Sequence, residues 1–114
     1  MSDTTSCLSD ATVILERGGP YGNRAACWIA RAALESAVDD ILEAERLAAP
    51  AATMRSKLTI LYVALEGSQT AGRAEYAWNR LSWACHHHAF QLSPSATEVR
   101  DLIELAAAIE SVAE

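Results

Sequence analysis

The sequence predicts an all-α fold, an antiparallel bundle of about five helices that forms a single domain over residues 1–114. Alanine is abundant, runs of β-branched residues are short, and glycine and proline gather at a few breakpoints between helical segments. With 51% hydrophobic and 21% charged residues among 114, the composition is that of a folded domain rather than of a disordered segment.

A Gly-Gly-Pro sequence separates the first two predicted helices. A short helix is expected from about Thr5 to Arg17 and ends at Gly18-Gly19-Pro20. The main body of the bundle, about 23–113, begins with a long helix from about Asn23 to Ala48, which Ala49-Pro50 ends. Small and apolar residues recur in it at steps of three and four, and this stripe should face the core: Cys27, Ala30, Leu34, Val38 and Ile41.

Three further helices follow, each with its own start signal. A third helix begins after Thr53, a predicted N-cap, and ends at Gly67. A fourth runs from about Gln69 into the run His86-His87-His88, and Ser95-Ala96-Thr97-Glu98 matches a capping box that opens a fifth. The residues expected in the core are Leu58, Leu61, Tyr62 and Leu65 on the third helix and Val99, Leu102, Ile103, Ala106 and Ile109 on the fifth.

The charge pattern limits which partners the protein can bind. A net charge of −6 argues against broad, nonspecific binding to nucleic acid, which needs many phosphate contacts from lysine and arginine. Residues 55–92 nevertheless carry +2 and all three histidines, whereas the tail from residue 93 carries −4. Any anionic partner is therefore expected at residues 55–92. The i, i+4 repeat of Glu35, Asp39 and Glu43 is expected to form a solvated acidic face.

Targeting and redox signals favour the cytoplasm. No apolar run is long enough for a transmembrane helix, and the N-terminal sequence lacks the pattern of a secretory signal. The three cysteines are widely spaced and odd in number, which does not suggest a disulfide framework. The sequence therefore predicts a cytoplasmic protein with reduced thiols and no membrane association.

The fourth helix carries two stripes, roughly 140° apart at 100° per residue. The first is mostly small or apolar and should face the core: Ala74, Ala77, Trp78, Leu81, Cys85 and His88. The second consists of Tyr76, Arg80, Trp83 and His87. Aromatic residues with arginine are typical of interface centres, so the second stripe predicts a homodimer in which Arg80 and His87 of both chains meet near the twofold axis. The alternative is that another helix of the same bundle covers this stripe.

The histidine run admits three interpretations. Consecutive helical residues diverge by about 100° and cannot jointly chelate one ion, so no metal site is expected. Histidines in a last turn can instead cap carbonyls and interact well with the helix dipole. The third interpretation is catalytic or phosphate-binding, because Arg80 shares a face with His87.

The sequence around these residues resembles the HEPN superfamily. Arg80 is followed by five residues before His86 and six before His87, which fits the R-x(4–6)-H pattern of that superfamily. The motif stands near the end of a late helix in a small all-α domain with a long alanine-rich early helix, and the stretch 84–94 is similar to an actinobacterial branch. The resemblance covers roughly residues 23–113.

The resemblance implies a helical homodimer that acts on RNA. Many members are metal-independent endoribonucleases of toxin–antitoxin or defence systems, in which Arg and His from both subunits line a composite cleft. Carried over, His87 or His86 would act as general acid or base at a ribose 2′-hydroxyl, and Arg80 would hold the phosphate. Tyr76, Trp83 and His88 would then belong to the dimer interface or the binding surface, with no cofactor and with an antitoxin or nucleotidyltransferase as a possible protein partner.

A second alignment with the superfamily leads to a different function. It places His88-Ala89-Phe90 on the R-x4-H-x-Y variant of some HEPN toxins, so that Trp83 stands at the arginine position and Phe90 at the tyrosine position. On this alignment the chain would be a catalytically degenerate dimerisation or partner-binding module. Helical phase favours the pairing of Arg80 with His87 but does not decide between the two alignments.

Overall fold

Five α-helices make up the part of the chain that the structure, a computed structural model, describes: residues 3–85 and 94–113. They are α1 (Asp3–Arg17), α2 (Pro20–Ala44), α3 (Met54–Ala64), α4 (Gln69–Cys85) and α5 (Ala96–Ala113). The prediction of an all-α helical bundle is confirmed. The predicted continuation of α4 into His86–His88 lies outside the described residues.

Helix α2 begins earlier than predicted because the preceding glycines set up its first turn. Gly18 and Gly19 adopt φ of 78° and 87°, values that glycine reaches without a Cβ penalty. Pro20 then occupies the start of the helix, where its fixed φ fits and its missing N–H costs nothing. The Asn23 side-chain amide donates to the carbonyl oxygen of Pro94 at 2.9 Å, which ties this first turn to the residues before α5.

Helix α2 also ends earlier, at Ala44 rather than Ala48. Arg46 takes a left-handed conformation with φ of 62°, and the Leu47 amide then donates back to the Leu42 carbonyl at 2.8 Å. This hydrogen bond satisfies one of the last carbonyls of the helix, as in a Schellman ending. The proline restriction at Pro50 therefore acts on a chain that has already left the helix.

Helix α3 shows one confirmed cap and one wrong burial prediction. Thr53 caps the helix as predicted, because its hydroxyl accepts from the Ser56 amide at 3.2 Å. Tyr62, predicted to be in the core, is 56% exposed. Its ring lies over the turn after the helix, where a Cβ added to Gly67 would meet the Tyr62 hydroxyl at 3.1 Å. The ring therefore packs against this turn instead of the core.

One hydrophobic core unites the five helices, and α2 lies at its centre in contact with the other four. The stripes predicted for α2 and α5 are buried throughout. On the predicted core stripe of α4, Trp78 is only partly buried, while the others that the structure describes are buried: Ala74, Ala77, Leu81 and Cys85. Within the described residues, no helix combines the length and apolar character needed to cross a membrane.

Candidate functional site

The second stripe of α4 lies at the surface. Tyr76 is 58% exposed and Trp83 is 45% exposed, and the Arg80 side chain between them is 39% exposed. Among the described residues, the neighbouring helices cover only about half of each of the two aromatic residues. The three predicted site residues His86, His87 and His88 lie outside the described residues, so the structure brings together Tyr76, Arg80 and Trp83 alone.

Arg80 is held by two neighbours. Its Nη2 donates to the Glu98 Oε2 at 2.8 Å, and its guanidinium lies over the Trp83 ring at 5.2 Å from the ring centroid. The first contact pairs the arginine with a carboxylate, and the second is a cation–π interaction. The positive charge predicted to meet a phosphate is therefore already paired within the chain.

The local structure at the start of α5 places Glu98. The Ser95 hydroxyl accepts from the Glu98 amide at 3.1 Å, so the predicted N-cap is confirmed. In a full capping box the Glu98 carboxylate would return to the cap backbone. Here that carboxylate binds Arg80, so the residue predicted as a capping group connects α5 to α4.

An open groove of about 580 Å³ runs beside this stripe, between α4 and α5. Tyr76 contributes one wall, and Leu102, Leu105 and Ala108 of α5 contribute apolar surface. Three carboxylates also line the groove, from Glu98, Asp101 and Glu104. Because acidic walls repel phosphate, the groove favours an apolar or cationic occupant over an RNA strand.

Two buried thiols, Cys27 of α2 and Cys85 of α4, lie near each other in the core. Burial, together with the smaller influence of the nearby Cys85 and Glu98, raises the pKa of the Cys27 thiol to about 12. Burial also raises the pKa of Cys85, against the opposing influence of Arg31 and Arg24. Both thiols are therefore protonated near neutral pH, which removes them as nucleophiles.

A cation–π cluster between α2 and α4 was not predicted from the sequence. The Arg31 guanidinium lies 4.1 Å from the Trp78 ring centroid and 5.7 Å from that of Trp28, and its Nε donates to the Ser82 hydroxyl at 3.0 Å. The i, i+3 spacing of Trp28 and Arg31 within α2 is the only signal for it in the sequence. Trp78 therefore packs against an arginine as well as against the core.

Sequence reasoning also did not predict that Lys57 is buried. Its position corrects the prediction of a solvated acidic face on α2. Its side chain is almost fully buried, 4% exposed, and its ammonium nitrogen lies 2.9 Å from the Asp39 Oδ1 and 3.4 Å from the Glu35 Oε2. Two of the three carboxylates expected to form a solvated acidic face therefore also neutralise a buried lysine of α3. The hydrogen bond to Asp39 raises the pKa of Lys57, while burial opposes the rise.

This raised pKa predicts a loss of stability at high pH. A folded-state pKa above the usual value of 10.5 means that Lys57 contributes stability that is fully present below pH 10.5 and is lost as the pH rises through the folded pKa. We expect the free energy of unfolding in urea to fall between pH 9 and pH 12 by more in the wild type than in Lys57→Met. Equal falls in the two proteins would contradict the assignment.

Among the described residues, no group of three histidine, cysteine, aspartate or glutamate side chains is arranged to hold a metal ion. Comparisons of the chain with protein-family models, with curated proteins and with solved structures found no match. The candidate site is therefore defined by the geometry of α4 and α5 alone.

Proposed function

We propose that this protein is a cytoplasmic, HEPN-like interaction module that forms a homodimer through the α4 stripe Tyr76, Arg80 and Trp83, and that it acts without catalysing a reaction. The observation that carries the proposal is the commitment of Arg80 to Glu98 at 2.8 Å. A catalytic arginine must offer its guanidinium to a phosphate, whereas Nη2 of this one already donates to a carboxylate of the same chain.

The composition of the stripe supports the dimer. Tyrosine, tryptophan and arginine are the residues enriched at the centres of protein interfaces, where large aromatic areas leave water. Tyr76 and Trp83 lie on the same side of one helix, and both are about half exposed. A twofold partner would bury both rings at once in an isologous contact.

The first experiment measures the oligomeric state. We expect the wild type to sediment as a dimer at micromolar concentration and Trp83→Ala to sediment as a monomer, because an anchoring tryptophan of an interface typically contributes about 2 kcal/mol or more. Trp28→Ala is the matched control, since Trp28 is a tryptophan with the same exposed fraction, 45%, on α2. A wild type that remains monomeric, or a Trp83→Ala protein that remains dimeric, would contradict the proposal.

Metal-independent RNA cleavage, with a possible antitoxin or nucleotidyltransferase partner, is the second candidate function. The observation that favours it is the accessibility of Arg80, whose side chain remains 39% exposed despite its ion pair. In this case a phosphate would displace Glu98, and a histidine of the run 86–88 would supply the acid or base.

An RNA cleavage assay in EDTA separates the two functions. The interaction module predicts that a structured RNA stays intact with wild type, with Arg80→Ala and with the surface control Arg100→Ala. Cleavage to 2′,3′-cyclic phosphate ends by the wild type and Arg100→Ala, but not by Arg80→Ala, would establish the ribonuclease instead.

A further inference from the structure

Two exposed stripes lie side by side on α4 and α5. The α4 stripe extends by one step to Arg73, so that its members follow steps of three, four and three: Arg73, Tyr76, Arg80 and Trp83. The α5 stripe follows steps of four, three and four: Thr97, Asp101, Glu104 and Ala108. This alternation is the spacing with which helices pack along a shared seam. The pair of helices therefore presents two seams to the solvent.

The two stripes have opposite charge. The α4 stripe contains two arginines and no acidic residue, and the α5 stripe contains two carboxylates and no basic residue. The helices are antiparallel, because Arg80 contacts Glu98 while Tyr76, one turn earlier on α4, shares a groove with Leu102 and Leu105, later on α5. The surface is thus divided lengthwise into a basic half and an acidic half.

A second copy can meet this surface with twofold symmetry in two ways. With the axis across the helices, α4 packs on the partner's α4, and the two basic halves face each other. With the axis along the helices, α4 packs on the partner's α5, and each basic half faces an acidic half. Like charges placed opposite each other cost free energy and suppress an arrangement, whereas complementary charges fix the register.

We infer that a second copy of this chain packs on the face formed by the α4 and α5 stripes, an inference that rests on the proposed homodimer. In this arrangement, α4 of each copy lies along the α5 groove of the other copy. The register follows from the helical rise of 1.5 Å per residue. Arg73 lies seven residues before Arg80, and Glu104 lies six residues after Glu98, so both are about 10 Å from the internal ion pair, on the same level. Arg73 therefore faces the partner's Glu104, and Tyr76 enters the partner's groove.

This arrangement separates the two Arg80 side chains instead of bringing them together. In the α4-on-α4 dimer expected from the sequence, Arg80 of both chains would approach the twofold axis and could form a composite site. In the arrangement inferred here, each Arg80 lies over a different α5 helix and remains beside its own Glu98. The packing therefore accounts for an interaction module without a shared Arg/His cleft.

Reversing the charge on either side of the contact between Arg73 and the partner's Glu104 tests the arrangement. The two variants, Arg73→Glu and Glu104→Lys, are made as separate proteins. Each variant alone should weaken its homodimer at least about tenfold, because each symmetric dimer contains two reversed contacts. Mixed together, the two should form a heterodimer, since the reversed pair is again complementary and the second contact is wild type. The control pair Arg55→Glu and Glu16→Lys changes the same charges at exposed positions on α3 and α1, outside the two stripes, and should leave the homodimers intact.

The outcomes distinguish the arrangement from the dimer itself. A wild-type dimer that Trp83→Ala dissociates, but with no heterodimer recovered on mixing the charge-reversed proteins, would overturn the α4-on-α5 packing and leave the proposed function standing. A heterodimer formed by Arg73→Glu with wild type, stronger than either homodimer, would establish α4-on-α4 packing instead. A wild-type monomer would overturn the proposed function and this inference with it.

Discussion

Replacing Glu35 and Asp39 together by alanine is expected to lower the free energy of unfolding by about 3–5 kcal/mol. The substitutions leave the Lys57 ammonium group without a carboxylate in a site where its side chain is only 4% exposed. A buried charge that loses its partners keeps the full cost of desolvation. Urea unfolding followed by circular dichroism at pH 7, at one protein concentration, measures the change.

The opposite substitution, Lys57→Met, should cost less than about 1 kcal/mol or stabilise the protein. The substitution leaves the two carboxylates without their cationic partner, but these are 43% exposed and remain hydrated. Methionine also fills most of the volume of the aliphatic part of the lysine side chain. The double variant Asp40→Ala/Glu43→Ala controls for the loss of two carboxylates from α2. If Lys57→Met proved as destabilising as the loss of both carboxylates, the ion pairs would outweigh the burial of a methionine of similar volume, which would contradict this prediction.

Leu34→Ala is expected to destabilise the protein by about 2–5 kcal/mol. Leu34 is fully buried at the centre of α2, the helix that contacts all four others, so the surrounding side chains cannot collapse freely into the space left behind. The loss combines the transfer free energy of the removed isopropyl group with the cost of the cavity. Thermal and urea unfolding of the variant at fixed concentration check the value.

The control for this prediction is Val63→Ala on the exposed side of α3. Val63 is 71% exposed, so its truncation should change the free energy of unfolding by less than about 0.5 kcal/mol. A cost for Leu34→Ala below 1 kcal/mol would show that the core of α2 relaxes around the deletion, and the central role of this helix in the bundle would have to be abandoned.

The buried stripes could be predicted because they depend on local periodicity alone. The α2 stripe from Cys27 to Ile41 and the α5 stripe from Val99 to Ile109 follow directly from 3.6 residues per turn. The caps at Thr53 and Ser95 were predictable for the same reason, since a cap and the amide that it binds are three residues apart. The end of α2 was not, because the left-handed conformation of Arg46 lies in a residue without a turn signature.

The candidate site was predicted in part. The sequence separated Tyr76, Arg80 and Trp83 from the core stripe of α4, and their exposure agrees with that separation. It did not reveal that Arg80 is paired, because its partner Glu98 lies 18 residues away on another helix and matched a local capping role. The three histidines lie outside the described residues, so their roles remain predictions.

The sequence by itself determined the number of helices, the caps at Thr53 and Ser95 and the buried stripes of α2 and α5, since all of these depend on neighbours within one or two turns. Only the tertiary structure decided which charged side chains form ion pairs. It showed that Lys57 is buried against Glu35 and Asp39, 22 and 18 residues earlier in the chain, and that the capping-box residue Glu98 binds Arg80. The physical reason is that an ion pair depends on distance in space, and a sequence pattern contains no information about which helix faces are brought together.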